Sequence, residues 1–169
     1  KNILLLTKKL SDYYCCSWGE AIETALPEAL RKGKRIPNIR EVKYTGKGNS
    51  PGVILIHDLD GKSRWNVYFK SIKETLDNNK SVILLLPDIN SVLKVREAIS
   101  VKVGVQAGLL YRKQFRELEE WLKVKEGKVN IVVGTRSSIF APLTNLGLLI
   151  IDEEQDSVYK QDQVPHYHA

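Results

Sequence analysis

The chain has 169 residues, 43% of them hydrophobic and 27% charged, with a net charge of +6. That composition fits one globular domain with an appendage and excludes wholesale disorder. No apolar run approaches the roughly 18–20 residues of a membrane-crossing helix, and the first ten residues lack the cleavage site of a secretory signal. The only cysteines, Cys15 and Cys16, are adjacent; they make neither a disulfide framework nor a zinc site and read as buried thiols of a reducing cytoplasm. The first residue is not Met and the sequence stops abruptly at His168-Ala169, so a piece of a longer cytoplasmic protein is expected, with no membrane partner.

Residues 2–31 carry apolar positions at helical spacing, interrupted by Gly19 and Pro27, which predicts two or three short helices. Gly33, Pro37, Gly46, Gly48 and Pro51 then punctuate a polar stretch that holds Arg31, Lys32, Lys34, Arg35, Arg40, Lys43 and Lys47 against Glu41 alone. Residues 1–50 hold ten Lys/Arg against five Asp/Glu, and the remainder sixteen against fifteen. Such a basic stretch suits a phosphate backbone through counterion release; it suits a solvated linker equally well. Lys34 and Arg35 are the DNA-contact candidates there.

After Gly52 the character changes. Apolar runs at 53–56, 82–86, 101–105, 129–133 and 146–151 alternate with helical patterns at about 65–76, 91–100 and 112–125. Strands apolar throughout, separated by helices, predict βαβ units and a mainly parallel sheet covered on both faces. The fold class is therefore α/β, and ligands of such folds bind at the carboxyl ends of the strands.

Three strand ends carry candidate chemistry. The last run ends in Asp152-Glu153-Glu154, acids suited to holding Mg²⁺ and orienting an attacking water, or simply a strand running into solvent. The run 53–56 leads into His57-Asp58-Leu59-Asp60-Gly61-Lys62-Ser63-Arg64-Trp65. A phosphate loop needs glycines, a lysine and a hydroxyl there; this segment brings two carboxylates instead. The run 129–133 leads into Gly134-Thr135-Arg136-Ser137-Ser138, which offers N–H, hydroxyl and guanidinium donors to a phosphodiester, or caps a helix.

Taken together, Ile131–Leu143, Asn145–Ser157 and Tyr159-Lys160-Gln161 closely resemble the PriA family of replication restart helicases (primosomal protein N-prime). Asp12–Cys16, Gly19-Glu20, Ala25-Leu26-Pro27 and the closing Pro165–Ala169 fit the same family, and Leu85–Ile89 stands at its Pro-Glu-Ile motif. The resemblance implies an ATP-driven, RecA-like P-loop lobe at 52–169, without its second lobe. It implies the helical end of an N-terminal DNA-binding region at 1–33. A basic linker at 34–51 stands where the winged helix would be. Asp152 and Glu153 would be the catalytic acids, with Asp152 the Mg²⁺ ligand, and Gly134, Thr135 and Arg136 would contact the DNA backbone. ATP and Mg²⁺ are the implied cofactors; replication forks, single-stranded DNA and other primosome proteins are the implied partners.

The departures are concentrated in the phosphate loop. The family's Gly-Val-Thr-Gly-Ser-Gly-Lys-Thr aligns with Asp58–Trp65, so the nucleotide-binding positions Gly61, Lys62, Ser63 and Arg64 are degenerate. Arg64 replaces the lysine and Trp65 the hydroxyl. The expectation is a DNA-binding restart protein with impaired ATP binding and hydrolysis. The alternatives are an active helicase with a rearranged loop and a non-catalytic primosome assembly platform.

Overall fold

The computed structural model describes residues 2–36, 52–58 and 63–169. Helix α1 spans Asn2–Tyr13, α2 Trp18–Ala25 and α3 Glu28–Arg31. Helix α2 starts on a capping box: the Ser17 side chain accepts from Glu20 N, and Glu20 reaches back to the Ser17 backbone. Pro27 stands at the N-cap of α3. Of the basic linker, Lys34 and Arg35 are described, and Arg40, Lys43 and Lys47 lie outside the described residues.

Helix α4 (Ser63–Asp77) leads to β1 (Ser81–Leu85), followed by α5 (Ile89–Val103), β2 (Gly108–Leu110), α6 (Glu117–Lys125), β3 (Ile131–Gly134) and β4 (Leu146–Ile151). The four strands form one parallel sheet in the order β2-β3-β1-β4. One face packs Val82, Leu84, Ile131 and Val133 against Tyr68 and Ile72 of α4 and Val92, Val95 and Ile99 of α5. On the other, Leu110 and Val132 meet Trp121 and Val124 of α6, while Ile83 and Leu85 meet Tyr159. Every residue of β1 is buried, as expected for a strand with helices or turns over both faces. Each such aliphatic contributes about 1.5–3 kcal/mol of burial. The helical segment α1–α3 docks on this lobe through Ala25 against Phe140 and Tyr167.

Three expectations are corrected. The run Val53–Ile56 is no strand: Val53, Ile54 and Leu55 are 96%, 85% and 78% exposed. β-Branched residues make a strand only when a partner takes up their hydrogen bonds, and among the described residues none does. The run Val101–Val105 is not a strand either. Val92, Val95, Ile99 and Val103 continue one helical stripe, so α5 runs on to Gly104, whose φ of 78° ends it. The strand lies later, at Gly108–Leu110. Helix α6 begins at Glu117 rather than Arg112, because Lys113 turns the chain with a φ of 63° and Gln114 O accepts from Glu117 N at 3.1 Å.

The β3 terminus is built without room for a side chain. A Cβ at Gly134 would lie 1.9 Å from Leu110 O and 2.0 Å from Ser138 Oγ, and Ser138 Oγ itself donates to Leu110 O. Gly134→Ala is therefore expected to lower stability by about 3 kcal/mol, read as a fall in the urea unfolding midpoint; an unchanged midpoint would refute this packing.

Candidate functional site

The tips of β1 and β4 lie side by side, and Asp152 N donates to Leu85 O at 3.0 Å. This continues the ladder one residue past β4 and fixes Asp152 where the strand meets the surface. Its carboxylate is nonetheless buried, with 5% of the side chain exposed. An ionised carboxylate in that position requires partners. Arg64 provides the charge: its Nε lies 2.9 Å from Asp152 Oδ1, and its Nη2 lies 3.5 Å from Oδ2 and 3.4 Å from Glu153 Oε1. The Nε contact has the distance of an ion pair without the angle of a hydrogen bond, so Coulomb attraction and a single long hydrogen bond from Nη2, rather than a bidentate fork, join the two. Burial alone would pull the Arg64 guanidinium down, but Asp152 outweighs it and raises it above its ordinary value.

Two tyrosines complete the shell. Tyr68 OH donates to Asp152 Oδ1 at 3.2 Å, and Tyr159 OH donates to Asp152 O at 2.6 Å. Burial, and then the charge of Asp152, push the Tyr68 phenol up to about 12; the same two causes raise Tyr159. The sequence pattern gives Tyr68 no role beyond membership of the helical stretch at about 65–76. The available signal was its position four residues after Arg64, on the same helix face.

At the start of α4, Asp58 folds back on the helix. Its Oδ1 accepts from Ser63 Oγ at 2.8 Å and its Oδ2 from Arg64 N at 2.9 Å. A carboxylate thus sits on the orphan N–H groups and the positive end of the helix dipole. Ser63 and Arg64 are the nucleotide-binding candidates brought together here; Gly61 and Lys62 lie outside the described residues. Trp65 turns inward. Its ring packs edge-on to Tyr68 at 5.3 Å and against Phe69 at 5.9 Å, with the Arg64 guanidinium 5.8 Å from its centroid.

The other candidates lie elsewhere. Gly134 ends β3 and Thr135 is half-buried in extended conformation. Arg136 Nη1 donates to Val158 O at 2.8 Å and also to Lys160 O, and its guanidinium lies 5.6 Å from the Tyr167 centroid. It therefore ties the 157–160 turn to β3, and Tyr159 within that turn reaches Asp152. Glu153, at a φ of 54°, holds its exposed side chain beside Arg64. The Asp88 carboxyl, in the segment resembling the Pro-Glu-Ile motif, caps α5: it accepts from Ser91 N at 3.0 Å. Lys34 and Arg35 are exposed in the irregular stretch that follows α3, and no ion pair joins them to Asp152 or Glu153.

No family model matches the chain. It is similar to a protein named replication restart protein PriA from Bacillus subtilis, 37% identical over 76% of this chain and 16% of the relative. The same name belongs to relatives from Treponema pallidum, 39% identical over 98% of this chain and 28% of the relative, and from Chlamydia trachomatis, 35% identical over 68% and 15%. The chain thus spans between about a seventh and about a quarter of the length of the curated relatives it matches. The parallel α/β lobe and its acidic strand tip agree with those similarities: over most of its length the chain is PriA-like, similar to replication restart proteins.

Proposed function

We propose that the chain is the nucleic-acid-binding part of a replication restart protein of helicase ancestry whose nucleotide site is filled from within. One observation carries this reading: the guanidinium of Arg64, at the position of the phosphate-loop lysine, is the counter-ion of Asp152. For Mg²⁺ to be held on Asp152, Arg64 would have to leave a carboxylate that would then lose its buried partner. For phosphate to sit at the N-terminus of α4, the Asp58 carboxylate would have to leave the N–H of Arg64. Trp65 supplies an indole where a metal-bound hydroxyl would stand, and that indole is half-buried against the core. ATP and Mg²⁺ therefore fit these residues poorly.

The name of the relatives, replication restart protein, supports a role in restarting replication, and the family resemblance adds DNA and other primosome proteins as partners. No helix of the described residues is long and apolar enough to cross a membrane. The basic side chains at Lys34 and Arg35, exposed and away from the acidic site, support contact with a phosphate backbone.

Isothermal titration of the chain with ATP and Mg²⁺ is expected to give no binding heat above dilution. Micromolar binding would overturn the reading and favour an active enzyme with a rearranged loop. The Asp152 shell also has a pH signature. The folded Tyr68 phenol stands above its unfolded value of about 10, so its contribution to stability is fully present below pH 10 and is lost as pH rises through about 12. The stability difference between the natural chain and Tyr68→Phe is expected to shrink over that interval in urea unfolding curves. A constant difference would mean that neither burial nor the Asp152 carboxylate raises the Tyr68 phenol.

A further inference from the structure

Between α3 with the residues that follow it and the turn before α6 lies a groove of about 520 Å³. One wall carries Lys32, Lys34 and Arg35, and the other carries the turn Gln114-Phe115-Arg116. The turn is clamped to the helical segment at both ends. Arg112 Nη2 donates to Thr24 O at 2.7 Å, and Glu28 N donates to Glu117 Oε2 at 3.3 Å. On this fixed turn Phe115 is 99% exposed. A phenyl ring held in water contributes nothing to the core, so packing does not account for it.

The charges around the ring are unevenly committed. Lys32 pairs with Glu28 at 2.6 Å, Arg116 with Glu119 at 3.8 Å, and Glu117 is taken by the Glu28 backbone. Lys34 and Arg35 have no ion-pair partner among the described residues. The Gln114 amide lines the same groove with a buried Oε1 that has no hydrogen-bond partner. An exposed aromatic face beside two uncommitted cations matches a nucleotide strand whose bases are free to stack. A duplex offers no unpaired base to the ring, and an acidic peptide would use the cations while leaving the ring idle.

We propose that this groove is a path for single-stranded nucleic acid, with Phe115 as the platform on which one base stacks and Lys34 and Arg35 as its phosphate contacts. The inference rests on the nucleic-acid reading above and adds to it the groove and the residue on which a base stacks.

The test is fluorescence anisotropy on the full 169-residue chain, with a labelled thymidine oligomer of about 15 nucleotides and a blunt duplex of equal length. Phe115→Ala, which removes an exposed side chain and so spares the unfolding midpoint, is expected to weaken single-strand binding about fivefold or more. It should leave duplex binding within twofold, and Phe115→Trp should restore the single-strand affinity. The double variant Lys34→Ala/Arg35→Ala should weaken both ligands and reduce the slope of log affinity against log salt by about 1.4 for the single strand. An unchanged single-strand affinity in Phe115→Ala overturns this inference alone, as does an equal loss on duplex, or displacement of the oligomer by polyglutamate as readily as by unlabelled oligomer. If the natural chain binds neither ligand, the nucleic-acid reading above falls with it.

Discussion

A parallel sheet with both faces covered delivers its strand ends to one edge of the molecule, and here it delivers a carboxylate that water can barely reach. Asp152 is held there by the ladder, through its own N–H on Leu85 O, so it cannot swing into solvent without giving up sheet structure. The charge must then be met by the protein. Arg64 from α4, Tyr68 one turn further along the same helix, and Tyr159 from the following turn all converge on this residue. The position of α4 against β1 and β4, the inward turn of Trp65 and the path of residues 153–160 all fit that one requirement.

The same helix terminus also explains why a loop poor in glycine can still start a helix. An N-terminus needs an acceptor for its orphan N–H groups. Asp58 supplies one from within the chain, with Ser63 adding its hydroxyl. Asp58, one of the two acids that made the segment a poor phosphate loop on paper, thus has a structural use. Arg64 makes the parallel exchange, since a planar guanidinium can reach a carboxylate at the neighbouring strand tip. Asp58 thus acts as an anion on the helix terminus and Arg64 as a cation on the strand tip.

Much of this was legible in the sequence. The runs at 82–86, 129–133 and 146–151 are strands within a residue or two, and the acids after Ile151 do lie at a strand tip. The misread segments share a cause. Val53–Ile56 and Val101–Val105 are short β-branched runs whose fate depends on neighbours that a single sequence does not reveal: one meets no partner strand, and the other extends the buried stripe of α5. The pairing of Arg64 with Asp152, 88 residues apart, could not be read from spacing, although both residues were singled out. Tyr68, Tyr159 and Phe115 carry no site role in the sequence reading because an aromatic residue in a helical pattern, or beside polar residues, reads first as core or loop.

The central claim is that Arg64 and Asp152 are energetically one unit. A double-mutant cycle with Arg64→Gln, Asp152→Asn and the combined variant, followed by urea unfolding at neutral pH, measures this directly. The account requires the two substitutions to be non-additive by about 1 kcal/mol or more, because either alone strands a buried partner. Additivity within about 0.3 kcal/mol would contradict it, leaving Asp152 available to a metal and Arg64 an incidental neighbour.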